Sequence, residues 1–148
     1  MAQMRSTDRG FDFRDFTFWV VRHQQAIADR LGIHITDFKT LGLLHRKGAM
    51  TPKSLAGAIA VTPAAMTAIV DRLETAGYAR RKRDNDDQRV VTVYATKGSV
   101  RRVTELYRSL DAAARKLNSN YTAHELEMIL GYLREATAAL QTATGALL

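Results

Sequence analysis

The sequence has no cysteine and only two prolines. Without cysteine there is no disulfide, no thiolate zinc site and no thiol-based redox sensing. Each proline follows a threonine (Thr51-Pro52, Thr62-Pro63), so proline marks two helix starts and not a linker. Long apolar runs are also missing. The longest stretch of large apolar side chains, Phe18 to Val21, is far short of the about 20 residues a spanning helix needs. The first ten residues, MAQMRSTDRG, are polar and lack the apolar centre of a secretory signal. Neither an internal repeat nor a low-complexity tract is present. These absences imply a soluble cytoplasmic protein, a single domain over residues 1–148, with no membrane partner.

Acidic charge is scarce. Fifteen Asp and Glu face 22 Lys and Arg, which leaves +7 at neutral pH and a pI near 10.1. Such a balance suits a polyanion, because clustered cations bind by releasing counterions from phosphate. The cations are concentrated: Arg80, Arg81, Lys82 and Arg83 are consecutive, and Arg89, Arg101 and Arg102 follow. Catalytic constellations are missing too. The residues form no Ser-His-Asp order, paired catalytic carboxylates or phosphate-binding glycine loop, which argues against an enzyme. His23, His34, His45 and His124 are scattered without metal-ligand spacing, so neither a metal nor a cofactor is expected.

What is present is helical periodicity interrupted by one hairpin. Phe13, Phe16, Val20, Ile27 and Leu31 predict a helix over 11–31 that Gly32 stops. Thr36 is expected to cap a second helix with Phe38, Leu41 and Leu44 on one side, closed by Gly48. Thr51-Pro52 opens a third helix burying Leu55 and Ile59, and Thr62-Pro63 opens a fourth with the stripe Met66, Ile69, Val70 and Leu73, closed by Gly77. Two helices this close form a helix-turn-helix. The period then changes. Tyr78–Arg83 and Arg89–Ala95 read as strands joined by Asp84-Asn85-Asp86-Asp87. Thr96 begins a fifth helix, with Val103, Leu106, Leu110 and Leu117 on one face. Thr122 and Glu125 form a capping box for a sixth. The expected fold is mainly α with a small β wing (α+β): a winged helix-turn-helix over 36–98, wing 78–95, flanked by helices at 11–31 and 99–148.

These residues resemble the MarR family of bacterial transcriptional regulators. Val61 to Gly77, with Thr67, Val70, Asp71, Arg72, Leu73, Glu74 and Gly77, is similar to that family's recognition helix and its exit. The segment Arg83 to Gly98, with Asp87-x-Arg89, is similar to its wing. The resemblance spans essentially the whole chain. Gln88 departs from a frequent second arginine and Ala95 from a common leucine. The resemblance implies a homodimer built by the first, fifth and sixth helices, bound to a near-palindromic operator on double-stranded DNA. It also implies a repressor released by a small, often aromatic, effector. Trp19, His23, Phe38, Leu41 and Tyr107 lie in the helices where relatives bind such ligands, and all five also suit core or dimer positions.

For DNA, the fourth helix is the candidate reader. Ala64, Ala65, Thr67 and Ala68 allow close approach to the groove, and their methyls suit thymine methyls, although alanine is also simply a good helix former. Thr51, Lys53, Ser54, Thr62 and Arg72 are candidate phosphate contacts at or near helix ends, and Arg72 could equally pair with the wing or in the neighbourhood of Glu74. Strand alternation lets only about half of the basic block face one duplex, and Arg81 and Arg83 are taken as that half. Asp87 is expected to hold the wing's shape and, by the resemblance, Arg89 to enter the minor groove.

The terminal helices carry more apolar surface than a small winged domain can cover, which marks an interface. A two-fold pair would set the reading helices about 34–36 Å apart. A module binding protein or RNA, and a constitutive regulator without effector, are the competing readings.

Overall fold

The computed structural model describes residues 13–83 and 90–147. In chain order it contains α1 (Phe13–Leu31), α2 (Ile35–Lys47), α3 (Pro52–Ile59), α4 (Pro63–Thr75), β1 (Ala79–Arg83), β2 (Val91–Ala95), α5 (Lys97–Asn118) and α6 (Ala123–Gly145). The wing-tip residues Asp84 to Arg89, Asp87 and Arg89 among them, lie outside the described residues. The chain divides into two compact units, 1–106 and 107–148.

The first unit is organised by the stripes that periodicity predicted. Phe38, Leu41 and Leu44 of α2, Leu55 of α3, and Met66, Ile69, Val70 and Leu73 of α4 are all buried. Tyr78, Ala79, Val93 and Val103 close this core from the hairpin and from the start of α5. The Tyr78 hydroxyl donates to the Leu31 carbonyl at 2.9 Å, which ties the hairpin's base to the end of α1.

Both Thr-Pro starts behave as expected. Thr51 Oγ1 accepts from the Ser54 amide and Thr62 Oγ1 from the Ala65 amide, each at 3.2 Å. Such a cap is worth about 1 kcal/mol. Between them Ala60 closes α3 at φ 59°, the one non-glycine residue with positive φ among those described. Its amide reaches the Ala56 and Gly57 carbonyls, so the sharp turn satisfies its own donors. The result is a 107° bend between α3 and α4. No single described helix is long and apolar enough to cross a membrane.

The hairpin is antiparallel, with Arg81 opposite Val93 and Arg83 opposite Val91. One more rung comes from outside it. Met50 and Val93 exchange both backbone hydrogen bonds, at 3.0 and 2.8 Å, immediately before Thr51 caps α3. At the far end of β2, Thr96 Oγ1 donates to the Gly77 carbonyl (2.9 Å) and accepts from the Ser99 amide (3.2 Å), so it starts α5 as expected.

Two local expectations fail. Thr36 does not cap α2: the helix begins at Ile35, after His34, with no side-chain cap, and the Thr36 carbonyl instead accepts from Thr40 Oγ1. The apolar face expected along all of α1 is buried only at its end, at Ile27, Ala28 and Leu31, whereas Phe16 and Val20 are exposed.

The second unit comprises the end of α5 and all of α6. The capping box forms as predicted: Thr122 Oγ1 accepts from the Glu125 amide, and Glu125 Oε2 from the Thr122 amide. That hydrogen bonding holds the Glu125 carboxyl below its ordinary range. No described residue of α6 is buried, and Met128, Leu130, Tyr132 and Leu140 stand more than half exposed.

Candidate nucleic-acid interface

The outer face of α4 is built from small residues because its large ones face inward. Ala64, Ala65, Thr67 and Ala68 are exposed, as is Thr62 before them. The hydrogen bonds assign these hydroxyls different tasks. Thr67 Oγ1 donates to the Pro63 carbonyl at 3.1 Å, so its proton is used within the helix and its methyl is what it can offer a base edge. Thr62 Oγ1 accepts from the helix and retains a proton for a phosphate oxygen. Similarly, Thr51 Oγ1 donates to Ser54 Oγ at 2.9 Å, which leaves the proton of the exposed Ser54 hydroxyl available to another acceptor. Lys53 is exposed in the same turn. Two helix starts therefore present hydroxyl donors and partial positive charge, the arrangement that suits phosphate.

The arginines are more constrained than their count suggests. Arg72 Nε donates to Asp37 Oδ2 at 2.8 Å and Nη2 to Asp37 Oδ1 at 2.6 Å. Asp37 is 1% exposed, while the Arg72 side chain remains 46% exposed. The hydrogen bond to Asp37 raises the Arg72 pKa further above its ordinary value, against a smaller effect of burial. Removing Arg72 would strand a buried carboxylate, a loss on the order of 3 kcal/mol. Arg81 is also engaged. Its guanidinium pairs with Asp71 and with Glu74, and its amide donates to Glu74 Oε1 at 2.8 Å. Arg80, Lys82 and Arg83 are exposed on β1, so the hairpin offers cations on both faces.

Thr51, Lys53, Ser54, Thr62, Ala64, Ala65, Thr67, Ala68, Arg72, Arg81 and Arg83 thus all lie on α3, α4, their caps and β1, within the first unit. The residues considered for an effector fall in both units. Phe38 and Leu41 are core residues, Trp19 is 62% exposed on α1, and Tyr107 belongs to the second unit. Asp37 was missed by sequence reading. A signal existed: Asp37, Leu41 and Leu44 share one helical stripe, and a carboxylate on a buried stripe needs a cation. Its partner, 35 residues away, had no such signal.

Among the described residues no group of His, Asp and Glu could hold a metal ion. Residues 33–91 match the MarR family. The HTH-type transcriptional regulator YcgE of Bacillus subtilis is 35% identical over 124 residues, covering 84% of this chain and 80% of that protein. In fold, the chain is similar to a MarR family protein from Bacillus stearothermophilus (TM-score 0.69, 20% identity, 86% of this chain and 89% of the other). It is also similar to an S. aureus MepR mutant bound to an oligodeoxyribonucleotide (TM-score 0.60, 22% identity, 86% and 94%). The matched segment contains α2, both Thr-Pro-capped helices, β1 and the first residue of β2, and the relative extends the likeness to most of the chain. The chain belongs to the MarR family of DNA-binding transcriptional regulators.

Proposed function

We propose that this protein is a homodimeric repressor that reads a near-palindromic operator with the outer face of α4. The observation that carries this reading is the pairing of an all-small exposed face, Ala64, Ala65, Thr67 and Ala68, with exposed hydroxyls at Ser54 and Thr62. Small side chains bring the helix close to the base edges, and the hydroxyls fix it on the backbone. With few long donors on that face, selectivity rests partly on groove width and deformability, which exposed Arg83 and, at the wing tip, Arg89 would sense.

The dimer reading is supported by uncovered apolar side chains. Phe16, Phe18, Trp19 and Val21 of α1 are at least half exposed, as are Leu117, Met128, Leu130 and Leu140 in the second unit. Burying them against a second copy would cover apolar surface that each unit leaves open. An aromatic effector would act by changing the separation of the two reading heads, since both bind only when correctly spaced.

The test is selection of fragments from the source genome by the purified protein, with the solution mass measured in parallel. The expected result is a dimer that retains duplexes sharing two inverted half-sites about one helical turn apart, fewer of them when aromatic acids are added. A monomer, or no sequence-selective duplex binding at low salt, would overturn the reading and favour a protein or RNA partner. Retention unaffected by aromatic acids would remove only the effector.

A further inference from the structure

We infer that Asp37 is a positioning residue for duplex reading, which acts by holding Arg72 in a fixed orientation on the exposed stripe of α4. The inference rests on the α4 face being the reader. Ala65, Ala68 and Arg72 are spaced three and seven apart and so follow one another along one side of the helix. Arg72 continues that row with the side chain best suited to phosphate.

The geometry of the pair is specific. Asp37 engages Nε and Nη2, the side edge of the guanidinium, at 2.8 and 2.6 Å. Among the described residues Asp37 alone engages the guanidinium, through those two nitrogens and not Nη1, and the side chain as a whole is 46% exposed. A free arginine samples many rotamers and loses that freedom on binding, whereas one forked onto a buried carboxylate is already ordered. The fork also fixes α4 to α2, since the carboxylate that anchors it is itself 1% exposed.

Stability alone does not explain a carboxylate in this place. Asp37 occupies the stripe of Leu41 and Leu44, where an apolar side chain would serve the core as well or better than an ion pair. What only the carboxylate provides is a planar two-point acceptor for the guanidinium.

The test uses the full chain, a duplex of about three turns that the wild-type protein enriches from a randomised library, and a scrambled duplex of the same composition. Asp37→Asn removes a negative charge, so electrostatics by itself predicts tighter binding to both duplexes. Positioning predicts opposite signs: affinity for the enriched duplex falls about tenfold, while affinity for the scrambled one holds or rises. Arg72→Lys keeps the charge at an exposed site but cannot form the fork, and it should reduce the ratio of the two affinities in the same way. Equal tightening on both duplexes, or parallel weakening on both, would overturn the inference. If the wild-type protein enriches no duplex, the α4 reading fails before any variant is made and this inference fails with it.

Discussion

The Arg81 guanidinium lies 2.7 Å from Asp71 Oδ1, although both residues stand on the side of the molecule where DNA phosphates are expected. Asp71 is 59% exposed along its side chain and Glu74, the other acid held by Arg81, 25%. Left alone, two carboxylates on α4 would repel the backbone that the proposed reading brings to this helix. Arg81 covers them. On this geometry Arg81→Ala should weaken operator binding about tenfold, mainly through the uncovered acids. In an Asp71→Asn/Glu74→Gln background the same substitution should cost less than about threefold in a double-mutant cycle. A full loss persisting in that background, read by fluorescence anisotropy, would make Arg81 a direct phosphate contact.

Ala60 supports a second prediction. At φ 59° its Cβ crowds the following carbonyl, and glycine avoids that cost. Part of the gain is offset because glycine adds freedom to the unfolded chain. Ala60→Gly should raise the free energy of unfolding by up to about 1 kcal/mol, with a higher urea midpoint and an unchanged m-value. A lower midpoint would mean that the methyl contributes more to the turn than its backbone strain costs.

A third prediction concerns pH. His45 Nε2 sits 3.3 Å from Ser99 Oγ, and the Ser99 hydroxyl donates to the Thr96 carbonyl at 2.8 Å. The serine proton is therefore spent, and the imidazole must be the donor, through Nε2–H. Burial first, and the charge of Arg46 second, lower the His45 pKa below its ordinary 6.5. Below that value the unfolded chain takes up a proton that the folded one resists, so this residue makes stability fall as pH drops from about 6.5. Glu125 works in a lower window, because its depressed pKa gives stability present above 4.5 and lost as pH falls through the folded value. Urea midpoints measured from about pH 8 to 5 should decline at the acid end for the wild-type chain. His45→Gln, which can still donate to Ser99, should flatten that decline, and an identical slope would remove His45 as its cause.

The legible parts of this chain are those in which a few adjacent residues decide the outcome. Thr51-Pro52, Thr62-Pro63 and the Thr122–Glu125 box each settle a helix start locally, and each forms as read. The α4 stripe was legible because its four large residues have only one face to share. Thr36 misled because a threonine near a helix start can equally enter the first turn, as it does here. Phe16 and Val20 misled for a different reason: periodicity reveals an apolar face but not whether the same chain covers it. The arginines were the least legible part of the site. Composition counts them as cations available to DNA, yet Arg72 and Arg81 are engaged by acids at distances along the chain that no local pattern encodes.

Met50 and Thr51 are consecutive, one forming a rung with Val93 and the other capping α3. On the proposed reading, the chain would have no slack with which to lift its hairpin from a groove while the Ser54 and Lys53 turn stayed seated on the DNA backbone. Release from a duplex would then be a concerted event, in which strand and helix come away together.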